Sequence, residues 1–279
     1  MTATEHAPAK VNLTLHVTGR RSDGYHLLDS LVVFTEFGDC VSVARRQGLS
    51  LALSGPEAGS LGVGPDNLVW QAARLVGAAD MALLLDKHLP VASGIGGGSS
   101  DAAACLRLLT RLSGKSLPPQ QALLSLGADI PVCLAARFSR MQGIGDAVIP
   151  IPQCPELWLV LVNPRIAVST PSVFRALSHV KNPPMPEILP DWPDAGSLID
   201  WLRLQRNDLQ DPACALVPEI AQVLSVLDSV EGCGLSRMSG SGATCFGLFA
   251  RESDARKAAS EIAQEYPQWW TVATARLAP

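Results

Sequence analysis

Polar and apolar residues alternate near the start of the chain, where Val11, Leu13, Leu15 and Val17 interleave with Lys10, Asn12, Thr14 and His16. That period of two predicts a strand over 10–17 with Lys10 and Asn12 on one face. The run Gly19-Arg-Arg-Ser-Asp-Gly24 is turn chemistry. Apolar segments at 31–34, 40–44 and 49–53 continue an antiparallel sheet. A helix is expected over 67–76, a strand at 81–85, and a long helix through 102–112, where no breaker interrupts good helix formers. Further helices are expected after Pro119 and Asp129, with Pro131 tolerated in a first turn. Prolines at 150, 152 and 155 mark a domain boundary, giving domains 1–152 and 153–279. The second half reads as strand 157–162, helices from Thr170 and over 196–205 and 218–229, strands 233–238 and 244–249, helix 252–265 and strand 269–276. The proline-rich stretch 183–193 is a loop. Strands and helices mixed in this way read as an α+β protein.

Composition narrows the function classes. With 279 residues, 47% hydrophobic and 17% charged, the chain can bury two moderate cores and does not read as disordered. No apolar run approaches the roughly 18–20 residues that span a bilayer, and the first residues carry no basic or apolar signal region, so a cytoplasmic location is expected. A net charge of −4 argues against nucleic acid or an anionic membrane as partner. Seven cysteines lack any C-x-x-C spacing and five histidines form no metal-spaced pair, which points to reduced thiols and no structural zinc. Lysines are scarce: only Lys10, Lys87, Lys115, Lys181 and Lys257 occur. A lysine beside a glycine-rich loop therefore carries information.

One such loop, Ser93-Gly-Ile-Gly-Gly-Gly-Ser-Ser-Asp101, runs directly into the 102–112 helix. Glycines let backbone N–H groups approach a ligand, and a helix N-terminus adds about half a positive charge, which together suit phosphate. Ser99 and Ser100 add hydroxyls. Alone, the loop reads equally well as a flexible connection with Ser100 or Asp101 as an N-cap. The dinucleotide fingerprint fails, because Ser99 stands where its third glycine belongs and no acidic residue occurs between Asp101 and Asp129. A Walker A loop ending at Gly114-Lys115-Ser116 fails too, since Leu109 occupies its first glycine position. A second small-residue loop, Met238-Ser-Gly-Ser-Gly-Ala243, is either a tight turn or a second wall of the same phosphate site.

Isolated polar residues supply the remaining candidates. Asp129, alone in an apolar stretch, either caps the following helix or accepts a proton from an attacking hydroxyl. Lys10 either lies on a solvated sheet face or offsets charge on oxygen, and these roles are compatible with one another. Tyr25, beside His26, packs over a hairpin or stacks on a base; Phe174 is a core residue or caps a ligand opposite Tyr25.

Five segments occur in order: Pro8-Ala-Lys-Val-Asn-Leu13, Gly19-Arg-Arg-Ser-Asp-Gly-Tyr-His26, Gly94-Ile-Gly-Gly-Gly-Ser-Ser-Asp-Ala-Ala103, Gly127-Ala-Asp-Ile-Pro131 and Gly240-Ser-Gly242. On these residues the chain resembles the GHMP kinase superfamily, and within it the members whose acceptor carries a cytidine diphosphate. The resemblance implies an N-terminal α/β nucleotide-binding domain, a ferredoxin-like C-terminal domain, and ATP with Mg2+. The implied reaction is phosphorylation of the 2-hydroxyl of cytidyl-diphosphate-methylerythritol, in the non-mevalonate isoprenoid pathway, by a monomer or weak homodimer. By position, Lys10 and Asp129 match the catalytic pair, and Gly94, Gly96, Gly97, Gly98, Ser99 and Ser100 match the ATP phosphate loop. Asn67 and Lys87 match the adenine region. Asn12, Tyr25, His26 and Phe174 match the cytidyl subsite, with cytosine between Tyr25 and Phe174. Thr170 and the 240–242 loop match positions of lower rank. Ile95 replaces a leucine, and no glutamate stands out as a metal ligand, so the metal ligands are unassigned. Rival acceptors are homoserine, mevalonate or a sugar, which have no base to stack on Tyr25 and Phe174. A non-catalytic nucleotide-binding module would not need both Lys10 and Asp129.

Overall fold

The computed structural model describes residues 2–278. In chain order the first elements are β1 (Ala3–Asn12), β2 (His16–Arg20), β3 (His26–Arg45), β4 (Ser50–Ser54), α1 (Leu68–Leu75) and β5 (Met81–Asp86). Then come α2 (Gly97–Ser113), α3 (Gln120–Leu126), α4 (Ile130–Ala135), β6 (Ser139–Gly143) and β7 (Ala147–Pro150). The remainder comprises β8 (Trp158–Asn163), α5 (Thr170–Arg175), α6 (Ala195–Arg203), α7 (Gln210–Leu216), α8 (Glu219–Ser229), β9 (Leu235–Met238), β10 (Cys245–Phe249), α9 (Glu252–Glu265) and β11 (Trp270–Ala275). No helix among the described residues is long and apolar enough to cross a membrane.

The chain forms two compact units that are discontinuous in sequence. The first contains the chain up to Lys10, Phe37–Val91 and Gly96–Ala136. In it the second half of β3 pairs antiparallel with β5, from Cys40 opposite Asp86 to Arg45 opposite Met81, and β4 runs parallel to β5. Helix α1 starts where Asn67 Oδ1 accepts the Val69 N–H at 2.9 Å, an N-cap that satisfies an orphan donor. Helix α2 ends at Gly114 in the left-handed region, φ 67°. Its small buried residues Ala102 and Ala104 join Val41, Val43, Leu83, Leu85, Val69 and Ile130 in one core.

The second unit contains Val11–Glu36, Ala92–Ile95 and the chain from Arg137 onward. The first half of β3 pairs with β2 and β6, and β6 with β7, all antiparallel. Farther along lies a four-stranded antiparallel sheet in the order β11-β8-β10-β9. Strand β8, helices, β9, β10, α9 and β11 in that order make the split βαβ arrangement, a ferredoxin-like domain. Its core joins Val160 and Val162 of β8, Val223 and Leu227 of α8, and Ala255, Ala258 and Ile262 at helical spacing on α9.

The structure departs from the sequence pattern in instructive places. The strand expected over 10–17 breaks at Leu13–Leu15, because Leu31 O takes both the Leu13 and Thr14 N–H groups while the Ser30 hydroxyl donates to the Thr14 carbonyl. Its polar face is not solvated: Lys10, Asn12, Thr14 and His16 are all buried. The segments at 31–34 and 40–44 are one strand of 20 residues. Helix α2 starts at Gly97, inside the glycine run, with Gly96 as its left-handed N-cap. Strands β6 and β7 and helix α7 had no clear sequence signal. In β6 the polar Arg140 is buried by pairing with Asp29, which hides the strand's apolar character.

Candidate active site

In the first unit, β1 carries Lys10 to the N-terminus of α4, where its Nζ lies 2.6 Å from Asp129 Oδ2. Asp129 occupies the N-cap position, yet its side chain makes no capping bond. The carboxylate faces Lys10 instead, so the capping alternative is set aside. Lys10 is 5% exposed at its side chain and Asp129 33%, which leaves the acid open to a ligand while the base is enclosed.

The start of α2 lies against the same lysine. Gly96 has φ 64°, and an added Cβ would stand 3.1 Å from Lys10 Cβ, so both backbone angle and close approach call for glycine. Gly97 and Gly98 open the helix, and Gly98 and Ser99 reach the surface. Their N–H groups belong to the set that an α-helix leaves without internal partners, the usual cradle for an anion. Ser100 is different: it is fully buried and its hydroxyl donates to Pro8 O at 2.7 Å, so it fastens α2 to β1.

Lys87, expected near the adenine, has its ammonium engaged by two carboxylates. Its ammonium is buried between Asp39 Oδ2 at 2.5 Å and Asp101 Oδ2 at 2.8 Å. Burial alone would lower its pKa, but the charges and bonds of Asp101 and Asp39 outweigh this and raise it. Asp101 is pushed up to about 8, first by burial, with Lys87 opposing and Asp39 reinforcing the rise. An added Cβ on Gly97 would stand 3.0 Å from Lys87 Nζ, so the triad lies directly against the first turn of α2. Asn67 is likewise occupied, its Oδ1 capping α1 and its Nδ2 donating to Gly62 O.

In the second unit, Gly94 packs on the 239–242 loop: an added Cβ would come within 2.5 Å of Ser239 O and 2.7 Å of Gly242 O. The Ser239 hydroxyl donates to Gly94 O at 3.0 Å and accepts the Asn12 N–H at 3.1 Å. The small-residue loop thus holds the beginning of the first glycine loop. Asn12 Nδ2 donates to Ser30 Oγ at 2.7 Å, and its Oδ1 is buried with no partner among the described residues. The Thr170 and Ser241 hydroxyls are 2.7 Å apart, which joins α5 to the same loop.

The aromatic pair differs from expectation. His26 stacks on Phe174 with centroids 4.7 Å apart and planes 22° apart, while Tyr25 stands 58% exposed at the turn. The ring facing Phe174 is the imidazole, not the phenol. Burial first and Arg20 second hold the His26 pKa below its ordinary value, so the stack is an apolar contact of a neutral ring.

Asp39, Asp101 and the Asp29–Arg140 pair escaped sequence reasoning. Asp101 lies within the glycine motif, but nothing local shows that its partner is Lys87. Asp39 follows Gly38, where an added Cβ would fall 2.3 Å from Ala7 O. A glycine-acid pair in a long strand was the available signal.

A helix N-terminus opened by glycines stands beside an enclosed lysine and a more open carboxylate, an arrangement that suits phosphoryl transfer. Residues 67–149 match the GHMP kinases N terminal domain and residues 185–268 match the GHMP kinases C terminal domain, so the chain belongs to the GHMP kinases, which are ATP-dependent small-molecule kinases. It is 58% identical over 272 residues to the 4-diphosphocytidyl-2-C-methyl-D-erythritol kinase of Cereibacter sphaeroides, covering 97% of this chain and 98% of the relative. It is 57% identical to the enzyme of that name from Paracoccus denitrificans, covering 99% and 97%. A crystal structure of 4-(cytidine 5'-diphospho)-2C-methyl-D-erythritol kinase superposes with a TM-score of 0.77 at 32% identity, covering 99% of this chain and all of that one. Within the GHMP kinases the chain falls in the 4-diphosphocytidyl-2-C-methyl-D-erythritol kinase family. An L. major mevalonate kinase (TM-score 0.68, 16% identity, 100% and 98% covered) shares the fold alone.

Proposed function

We propose that this enzyme transfers the γ-phosphate of ATP to the 2-hydroxyl of 4-(cytidine diphospho)-2-C-methyl-D-erythritol, in the non-mevalonate route to isoprenoid precursors. The observation that carries the chemistry is the 2.6 Å contact between Lys10 Nζ and Asp129 Oδ2, with Gly96 packed on the lysine. Asp129 orients the acceptor hydroxyl and takes its proton as the oxygen attacks phosphorus. Lys10 holds the carboxylate and offsets negative charge on the attacking and transferring oxygens. The N–H groups at the start of α2 hold the β- and γ-phosphates. Phosphoryl transition states are loose, so positioning and electrostatics supply most of the barrier reduction.

Among the described residues no three His, Cys, Asp or Glu side chains stand where they could jointly hold a metal ion. Magnesium keeps much of its water and binds readily to substrate phosphates. The residues present therefore fit an ion that arrives on the nucleotide, where it would neutralise phosphate charge. On the acceptor side, Asn12, Tyr25, His26, Thr170 and Phe174 form the proposed cytidyl subsite, its aromatic part being the His26–Phe174 stack with Tyr25 exposed nearby in sequence.

Coupled ADP release with ATP and magnesium tests the reading. Cytidyl-diphosphate-methylerythritol is compared with homoserine, mevalonate and galactose, with Asp129→Asn alongside. Turnover of the cytidyl compound alone, lost in the variant, is expected. Turnover of a different acceptor would overturn the substrate, and ATP binding without any turnover would overturn the activity.

A further inference from the structure

Lys10 and Asp129 account for the proposed chemistry, and the buried charges against the phosphate loop have no part in it. Lys87, Asp39 and Asp101 are each at most 3% exposed at the side chain. Fully ionised, two carboxylates and one ammonium leave one negative charge against the first turn of α2. That charge opposes the helix's own N-terminal field and repels a polyphosphate.

The two carboxylates are not equivalent. Asp39 Oδ1 accepts the N–H groups of His88 and Leu89 at 2.5 and 2.8 Å, and Oδ2 accepts Lys87, so both oxygens are held as a carboxylate would be. Asp101 Oδ2 accepts Lys87, but its Oδ1 is buried with no partner among the described residues. A buried carboxylate with an unpartnered oxygen is costly, and protonation removes the larger part of that cost, the buried excess charge.

We propose that Asp39, Lys87 and Asp101 form a proton-linked positioning unit under the phosphate loop, in which a solvent proton settles on Asp101 Oδ1 when a nucleotide polyphosphate binds. The proton cancels the excess negative charge and leaves Lys87 bonded to Asp39 and Asp101 against the first turn of α2. This rests on the assignment of the Gly94–Ser100 loop to the nucleotide phosphates. Burial already lifts Asp101 to about 8, within reach of such a change. The other charged groups on elements around α2 are largely engaged elsewhere. Lys10 pairs with Asp129, Glu5 pairs with Arg107, Arg74 is exposed, and His6 is held below its ordinary value by burial first and Arg107 second.

The sign follows from linkage. A bound anion raises the proton affinity of Asp101, so nucleotide binds the protonated form better and its affinity falls as pH rises through the value in the free protein. If bound phosphates raise the carboxyl by about one unit, ADP binds about tenfold more weakly at high pH than at low.

Calorimetric titration with ADP and magnesium chloride, in two buffers of different ionisation enthalpy near pH ~8, counts the protons taken up. The wild type should take up a fraction of a proton per ADP, and Asp101→Asn should take up none and lose the pH dependence of affinity. Equal uptake in both proteins, or none in the wild type, would overturn the proposal while leaving the loop assignment standing. If Asp101→Asn does not fold, the wild type decides alone. Uptake near pH ~8 that disappears near pH ~6.5 supports the proposal, and uptake that is absent or unchanged between them overturns it. No ADP binding at all would overturn the loop assignment and the proposal with it.

Discussion

Lys10 and Asp129 are 119 residues apart in sequence and 2.6 Å apart in space, and they are unequally exposed, at 5% and 33%. Water can hydrate Asp129 if Lys10 is removed, but not Lys10 if Asp129 is removed. Asp129→Ala should therefore lower stability by about 1–3 kcal/mol, and Lys10→Met, which keeps the stem, by less. Both should lower kcat, since each touches the proposed chemistry. Thermal melts beside steady-state rates check the asymmetry.

Asp129→Asn keeps the shape and removes the base. A positioned general base contributes about 10²–10⁴-fold, so kcat should fall by that order while ADP affinity stays within a few-fold. A variant retaining more than about a tenth of the wild-type kcat would remove Asp129 from the role.

Two glycines of the loop should separate fold from ligand. Gly94 has φ 77° and an added Cβ would meet backbone at 2.5 Å, so Gly94→Ala should destabilise the protein and lower activity together. Gly98 is the exposed residue of the first turn of α2, where an added Cβ would meet nothing nearer than Leu68 at 3.4 Å. Gly98→Ala should raise stability by up to about 1 kcal/mol and raise the KM for ATP, because the methyl crowds the N–H groups. Melting curves and ATP saturation curves on the same two proteins decide it.

The ring stack predicts coupling. Removing a stacked base contact costs roughly 1–3 kcal/mol, so Phe174→Leu should raise the KM for the cytidyl acceptor by about 5- to 150-fold, with ATP little affected. His26→Ala should act in the same direction. Because the two rings touch, the double variant should lose less than the two single effects combined.

His16 makes stability depend on pH. It is 1% exposed, Nδ1 lies 3.3 Å from Pro183 O, and Nε2 is buried without a partner among the described residues. Burial first and Arg206 second hold its pKa below 6.5. The unfolded chain then binds the proton more readily, so the contribution is complete above 6.5 and is lost as pH falls through the lowered value. Stability should decline on acidification from neutral pH, and His16→Gln should flatten part of that decline in denaturant titrations.

Much of this architecture was legible because its signals are local. The helices expected over 67–76 and 252–265 appear as α1 and α9, and the glycine run before the 102–112 helix marks where backbone comes close. What stayed hidden depends on long-range contact. Lys87 reads as a free cation until Asp39, 48 residues away, and Asp101 are found against it. The alternation over 10–17 predicts a wet face, and only the partners of Lys10, Asn12 and Thr14 show it to be dry. The His26–Phe174 stack joins the first residue of β3 to a helix 148 residues later, which no periodicity encodes.

The interleaving of the two units has a consequence for how the protein can be divided. The chain passes from one to the other at Lys10, Glu36, Val91, Ile95 and Ala136, and β3 itself lies half in each. No single cut therefore yields either unit whole. A nascent chain holds every residue of the first unit once Ala136 has emerged, yet strands β8 to β11 are still to be made. Neither unit could be inherited, lost or exchanged as a contiguous stretch of gene. Selection must act on the pair as one piece.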